Sequence, residues 1–132
     1  MAYRRTENVA RRLAARHAAI LAAAGDAVAE NGMAGVQIAP VAERAGVAAG
    51  TVYRYFPSKT DLVAALVLAL CEREMAAIDR AVNAAPGPLS ALAAAIATFA
   101  IRALAARRLA FALIAEPVEP ELDAARSPYR QA

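Results

Sequence analysis

The chain is almost empty of the residues that carry out covalent or metal chemistry. Its 132 residues include one cysteine, Cys71, and one histidine, His17. A lone thiol cannot close an internal disulfide, and one thiol with one imidazole falls short of a zinc quartet. Cys71, between Leu70 and Glu72, reads as a half-buried helix residue rather than a nucleophile, and such cysteine usage fits a reducing compartment. There is no Ser/His/Asp set and no phosphate-cradling G-x-G-x-x-G, so an enzyme is not expected. Tryptophan is absent, Phe and Tyr number three and four, and β-branched residues are scattered singly. Sheets draw on denser runs of such residues. Long apolar runs are missing too. A membrane span needs roughly twenty apolar residues, whereas the longest uncharged stretch, 81–101, is broken by Asn83, Pro86, Gly87 and Pro88. Its remainder, Leu89 to Ile101, reads as too short to cross. Five arginines lie in the first sixteen residues with no apolar segment behind them, which does not fit a signal peptide. The expectation is a soluble, cytoplasmic protein.

What is abundant is alanine, forty residues of it, within a composition that is 60% apolar and 20% charged. That much apolar surface offsets the entropy of ordering the chain and excludes disorder. Alanine is the best helix former, so an all-α chain follows, with room for one compact domain or slightly more. Charge is uneven. Residues 1–59 hold eight Lys/Arg against four acids, net +4, while residues 60–132 hold seven against eight, net −1. The excess at the N-terminal end suggests a polyanion partner there, although a solvated basic face is the commoner explanation of such an excess.

Apolar periodicity divides the chain into helices. Between Arg11 and Asn31, Leu13, Ile20, Leu21, Ala24 and Val28 form one stripe with His17 on it, spaced for a helix and not for alternation. Thr6 is positioned to cap its start, and Asn31-Gly32 to stop it. His17 reads as packed or half-buried. A short helix fits Ile38–Ala45, with Pro40 tolerated in its first turn. Gly46 follows, and a third helix runs from Ala49 to Phe56, before Pro57. Ser58-Lys59-Thr60-Asp61 is a capping box opening a long helix to Ala84, with Leu62, Leu66, Ala69, Leu70, Arg73 and Ala77 along one side. Pro86-Gly87-Pro88 ends it. Leu89–Ala105 is apolar all round and is therefore expected to be buried. Arg107–Ala115 is shorter, and Glu121–Ala132 begins one more helix.

Three short helices, the last two joined by a glycine turn, describe a helix-turn-helix. Ala42 is small where the helices cross, Gly46 permits positive φ, and Val41, Val47 and Val52 supply an apolar wedge. Thr51, Tyr53, Arg54, Tyr55 and Lys59 gather on the outer side, each able to bond phosphate or a base edge. Singly, each of these has a plain packing or surface role; as a set at this spacing they point to DNA.

The run from Val41 through Ala48-Ala49-Gly50-Thr51-Val52-Tyr53-Arg54-Tyr55-Phe56-Pro57-Ser58-Lys59 to Leu62 resembles the DNA-binding segment of TetR (tetracycline-repressor) family regulators, and Ile20-Leu21-x-Ala23-Ala24…Gly32 resembles that family's first helix. The likeness covers roughly residues 10–66. It implies a three-helix DNA-binding domain over 1–58 and a partial helical effector-binding domain over 59–132. It further implies a repressor that binds a palindromic operator in double-stranded DNA as a homodimer and is released by a small molecule. Carried over by position, it assigns base contacts to Gly50 and Tyr53 and backbone contacts to Thr51, Arg54, Tyr55 and Lys59. Gln37 stands where a capping Thr or Ser is usual. Ala48 replaces the usual capping Ser, at a cost of roughly 1 kcal/mol. Ala49 replaces a long base reader, which limits it to packing on a thymine methyl. Leu66, Leu70, Met75, Phe99 and Phe111 form the expected pocket wall and suggest an apolar effector; no cofactor or metal is expected. Regulators of this family are longer, so a chain stopping at Ala132 is expected to be a fragment or a truncated form, with the dimer weakened if the family's last two helices are truly absent. A helical interaction module without a DNA role is the main rival.

Overall fold

Alanine and arginine both favour helix, and the first helix runs further toward the N-terminus than its apolar stripe alone predicts. In the computed structural model, which describes residues 2–116, α1 spans Ala2–Asn31. Thr6 lies inside it, so it does not cap its start. Burial begins only at Ile20 and continues through Ala23, Ala24, Ala27 and Val28. Leu13 shares their stripe but is exposed, because the helix at that level has run past the core. At its other end Gly32 turns the chain with φ 76°, and a 3-10 turn over Met33–Gly35 leads to α2, Ile38–Ala45.

The chain continues as α3 (Ala49–Tyr55), α4 (Lys59–Ala84), α5 (Pro88–Ala105) and α6 (Arg107–Ile114), and no strand occurs among the described residues. The expected all-α architecture with its helix-turn-helix is what forms. Ser58 opens α4 through its hydroxyl, which accepts from the Asp61 amide at 3.1 Å. The Ser58 hydroxyl in turn donates to the Asp61 carboxylate at 2.6 Å, so the reciprocal half of the box closes on the side chain and not on the backbone. At α5, Pro88 fills the first position and the Ser90 hydroxyl accepts from the Gly87 amide at 3.0 Å.

One core joins these pieces. Ile20, Ala24 and Val28 of α1, Val41 and Ala42 of α2, and Val52 of α3 are buried with Leu62, Val63, Leu66, Val67 and Leu70 of α4 and Leu109 and Ala112 of α6. Each large aliphatic side chain so enclosed contributes roughly 1.5–3 kcal/mol. The α1–α4 approach is close: the Leu66 δ-methyl lies 3.7 Å from where a Cβ on Gly25 would stand.

The fifth helix departs from its expectation. It packs along α4 and touches α6, yet none of its residues is buried, and Leu89, Leu92, Ile96, Ile101 and Leu104 are 59–83% exposed. Apolarity on every side signals that a helix favours burial, but only a second layer could bury both faces, and the described residues cover just one. At 18 residues it is also long and apolar enough to cross a membrane by length and composition, so the shortness read from Leu89–Ile101 does not hold. Its packing on α4 and an ion pair through Arg102 place it on the body of this fold. The helix expected over Glu121–Ala132 lies outside the described residues.

Gly46 generates a stability prediction. Its backbone is left-handed, φ 70° and ψ 31°, and no atom lies within 4 Å of where a Cβ would stand. Gly46→Ala therefore meets only the conformational penalty, about 1–2 kcal/mol. Urea denaturation should show a lower midpoint with an unchanged slope.

Candidate nucleic-acid interface

The turn between α2 and α3 is built from backbone. The Val47 amide donates to the Ala42 carbonyl at 2.9 Å and the Gly46 amide to the Glu43 carbonyl at 3.1 Å, the paired bonds of a Schellman stop. Val41, Ala42 and Val52 are buried beneath it and Val47 half-buried, so the apolar wedge fixes the angle at which α3 leaves α2. Further support comes from Arg44 on α2, which donates to the Glu30 carboxylate on α1 at 2.8 Å. That bond holds Glu30 below the ordinary carboxylate range and Arg44 above its own.

Burying Val52 turns the rest of α3 outward. Ala49, Gly50, Tyr53 and Arg54 are exposed, as are Gln37 at the start of α2 and Lys59 at the start of α4. Tyr53 is 49% exposed, which leaves its ring and hydroxyl available to a groove. Thr51 and Tyr55 are half-buried. The Tyr55 ring stands 6.2 Å from that of His17, edge to face, and His17 is 5.0 Å from Phe56. His17 is itself exposed, because α1 emerges from the core at that turn; its contacts are one-sided. Neither Gln37 nor Ala48 makes a side-chain capping bond at its helix start. The outward set thus occupies α3 and the first residues of α2 and α4.

A second feature lies on the far side of the core. Between α4, α5 and α6 is a cavity of about 430 Å³, within the range of small-molecule sites. Met75 and Phe99 line it, together with Cys71, Ile78, Leu109 and Leu113. Leu66 and Leu70 do not: they point into the core shared with α1. Phe111 does not either, since it lines a separate cleft beside Glu30, Asn31 and Gly32. Residues on one helical stripe meet different neighbours as the helix passes from one packing partner to the next, which accounts for the difference. The sequence reading also missed a charge at the cavity wall. Arg102 of α5 donates through Nε and, at 2.9 Å, through its terminal nitrogen to the Glu74 carboxylate, which Arg73 also approaches at 3.1 Å. The Arg102 bond, ahead of that from Arg73, draws Glu74 below the ordinary carboxylate range against the opposing effect of burial.

The helix lining one side of this cavity also grips the end of α1. Leu109, Ala110, Leu113 and Ile114 of α6 face the cavity, while Arg108 donates to the Glu30 carbonyl. Beyond the helix, the Glu116 carboxylate accepts from the Met33 amide at 3.0 Å and the Ala34 amide at 3.4 Å. Residues more than eighty apart in sequence meet here, beyond the reach of any periodicity argument.

The family model described as "Bacterial regulatory proteins, tetR family" matches residues 20–66, the span that contains the turn, α3 and the start of α4. Over residues 20–66, then, this chain is similar to the tetR family. Among its relatives is the HTH-type transcriptional repressor KstR of Mycolicibacterium smegmatis, 46% identical over 63 residues, or 48% of this chain and 31% of that protein. Two solved structures share the fold over most of the described helices. The fatty acid degradation regulator FadR of Bacillus halodurans gives a TM-score of 0.72 at 26% identity, over 88% of this chain and 60% of its own. FadR of Bacillus subtilis, solved in complex with stearoyl-CoA, gives 0.71 at 25% identity, over 86% and 62%. The chain spans about a third of the length of KstR and three fifths of the FadR structures.

The Glu74 cluster sets a pH dependence. A carboxylate whose folded pKa is lowered stabilises the fold at neutral pH, and that contribution is lost as pH falls through the lowered value. Stability measured by urea from about pH 7 down to about pH 3 should fall below the ordinary glutamate value. Glu74→Gln should start lower at neutral pH and fall less steeply, the residual slope reporting Glu30 among other groups.

Proposed function

We propose that this chain is the DNA-binding part of a transcriptional regulator, a repressor that holds double-stranded operator DNA through α3 and releases it when a small molecule enters the α4–α5–α6 cavity. The observation that carries the reading is the outward row of Ala49, Gly50, Tyr53 and Arg54 over a buried Val52, flanked by exposed Gln37 and Lys59. Gly50 and Tyr53 face bases. Thr51, Arg54, Tyr55 and Lys59 serve the phosphate backbone, with Gln37 at the edge and Ala49 packing on a thymine methyl. Residues 1–58 act as the reading head and 59–132 as part of the effector-binding body, although the core runs across that boundary. Such a head reads one half of a palindrome, so two copies about 34–36 Å apart are required and the working form is a homodimer. Its place of work is the cytoplasm, where the DNA is.

The cavity wall favours an effector that is mainly apolar: Met75, Ile78, Phe99, Leu109 and Leu113 dominate it, with the Arg102–Glu74 pair at hand for a polar end. Long-chain acyl thioesters, the class that Bacillus subtilis FadR carries as stearoyl-CoA, are the first compounds to test. Release follows from the grip of α6 on α1. A ligand that moves α6 strains the bonds from Arg108 and Glu116, and it shifts the population only if it binds the DNA-free arrangement better.

Mobility shift on operator and scrambled duplexes at two salt concentrations tests the DNA reading. Lys59→Ala should weaken both by similar factors and lower the slope of log K against log salt by about one. Tyr53→Ala should reduce the ratio of specific to non-specific affinity by roughly 1–3 kcal/mol, and Ala49→Gln should change which base is preferred. A change in base preference for Lys59→Ala alone would reverse these roles. In the same assay stearoyl-CoA should release the wild-type protein from operator, and Glu116→Gln should need more ligand for the same release. Release by no acyl thioester would set aside that effector class.

A further inference from the structure

The reading head, taken without its N-terminal extension, has no net charge. Residues 17–59 carry Arg44, Arg54 and Lys59 against Asp26, Glu30 and Glu43. The electrostatic attraction that supplies most non-specific affinity for DNA needs a surplus of cations. That surplus lies elsewhere, in Arg4, Arg5, Arg11, Arg12 and Arg16, opposed only by Glu7.

We propose that the first half of α1 is a second DNA contact, a basic rod that follows phosphates outside the segment read by α3. The inference rests on the DNA-binding reading above. Four observations converge on it. The 30-residue α1 is about 45 Å long, and residues 3–16 are exposed throughout, so burial in the core of the described chain does not account for this half. The family match starts at residue 20 and leaves the rod outside the shared segment. The rod leaves the head beside α3, because His17 lies against Tyr55 and Phe56 at the C-terminal end of that helix, three residues before Lys59. Finally, Arg5, Arg12 and Arg16 recur at spacings of seven and four, which puts them on one face of the helix, about 10 and 6 Å apart along its axis. A row of guanidinium groups at those intervals suits the repeated phosphates of a duplex strand.

A basic helix that also exposes Val9 and Leu13 has one serious rival partner, an anionic membrane surface. Charge placement next to α3 favours DNA, and the experiment separates the two. The full chain, the triple variant R5Q/R12Q/R16Q, Lys59→Ala and a remote control, Arg80→Gln, are titrated by anisotropy with a random-sequence duplex of about 40 base pairs over a range of salt. Gln and Arg have similar helix propensity, so circular dichroism should be unchanged. The triple variant should lower the salt slope by two to three units, at about 0.9 per lost phosphate contact, and weaken binding at least tenfold near physiological salt. Arg80→Gln should leave the slope in place. If the triple variant keeps the wild-type slope while Lys59→Ala loses about one unit, the head binds DNA without the rod and the proposal falls alone. Salt-dependent binding absent from the wild-type chain would remove the DNA reading and the rod with it. Vesicles of phosphatidylserine and phosphatidylcholine form the last arm. Wild-type binding to them that the triple variant loses, with an unchanged DNA slope, would assign the rod to a membrane surface and overturn the proposal.

Discussion

Everything in this fold depends on α4 being one unbroken helix with two kinds of neighbour. Its first three turns sink Leu62, Val63, Leu66, Val67 and Leu70 into the core of the reading head. Its later turns offer Cys71, Met75 and Ile78 to the cavity and Glu74 to Arg102 of α5. A helix of 26 residues is about 39 Å long, and it has no proline or glycine at which to kink. A displacement at one end would therefore be carried to the other as a rigid tilt. Ser58 fixes where the rod begins and Pro86-Gly87-Pro88 where it must stop, so the lever length is set by a few residues.

A lever needs a second attachment, or the head would follow it freely. Helix α6 supplies one. It meets the cavity with Leu109, Ala110, Leu113 and Ile114 and the end of α1 with Arg108, while Glu116 reaches the turn at Met33 and Ala34. Charge-assisted bonds to backbone groups are among the stronger polar contacts, and here they bind the point where α1 passes into α2. Arg44 and Glu30 extend the same polar chain onto α2. The head is thus held from two sides, by apolar burial against α4 and by hydrogen bonds from α6. The proposed effector, entering between α4 and α6, would act on both holds at once.

The helices of the head were legible because local rules and tertiary needs agree there. Gly46 followed by Val47 announces the turn, the apolar wedge sets the register, and the Ser58 cap fixes α4; each is a short-range signal with a backbone cause. The boundaries of α2 and α4 fall where those signals put them. Where the readings fail, the deciding neighbour is remote. Thr6 looked like a cap because it is a good one, but helix-favouring Arg and Ala carry α1 past it. Apolarity around α5 states a demand for burial without naming the partner that meets it. Leu66, Leu70 and Phe111 sit at helical spacings compatible with a cavity, and only the packing of α1 and α6 decides which way they face. The bond from Met33 to Glu116 spans 83 positions and has no local signature at all.

These limits bear on how the head divides its work. Ala48 and Ala49 offer no hydrogen-bonding side chain at the front of α3, which in the proposed reading leaves the Gly50 backbone and Tyr53 for direct readout. An interface with so few donors cannot derive both affinity and discrimination from base edges. With a neutral head, the proposed attraction must come from charge carried outside it, and the first turns of α1 hold such a surplus where the helix leaves the head beside α3. Sequence-independent attraction from the rod and modest selection by α3 are then complementary. On that proposal the rod would raise residence on any duplex, and the few base contacts, together with the duplex's own shape and deformability, would decide where residence becomes binding. A longer side chain at position 49 would strengthen selection without touching the attraction, whereas neutralising the rod would do the reverse. The proposed separation follows from geometry: the arginines lie on a helix that emerges from the core at His17, while the outward residues of α3 are held by the buried Val52.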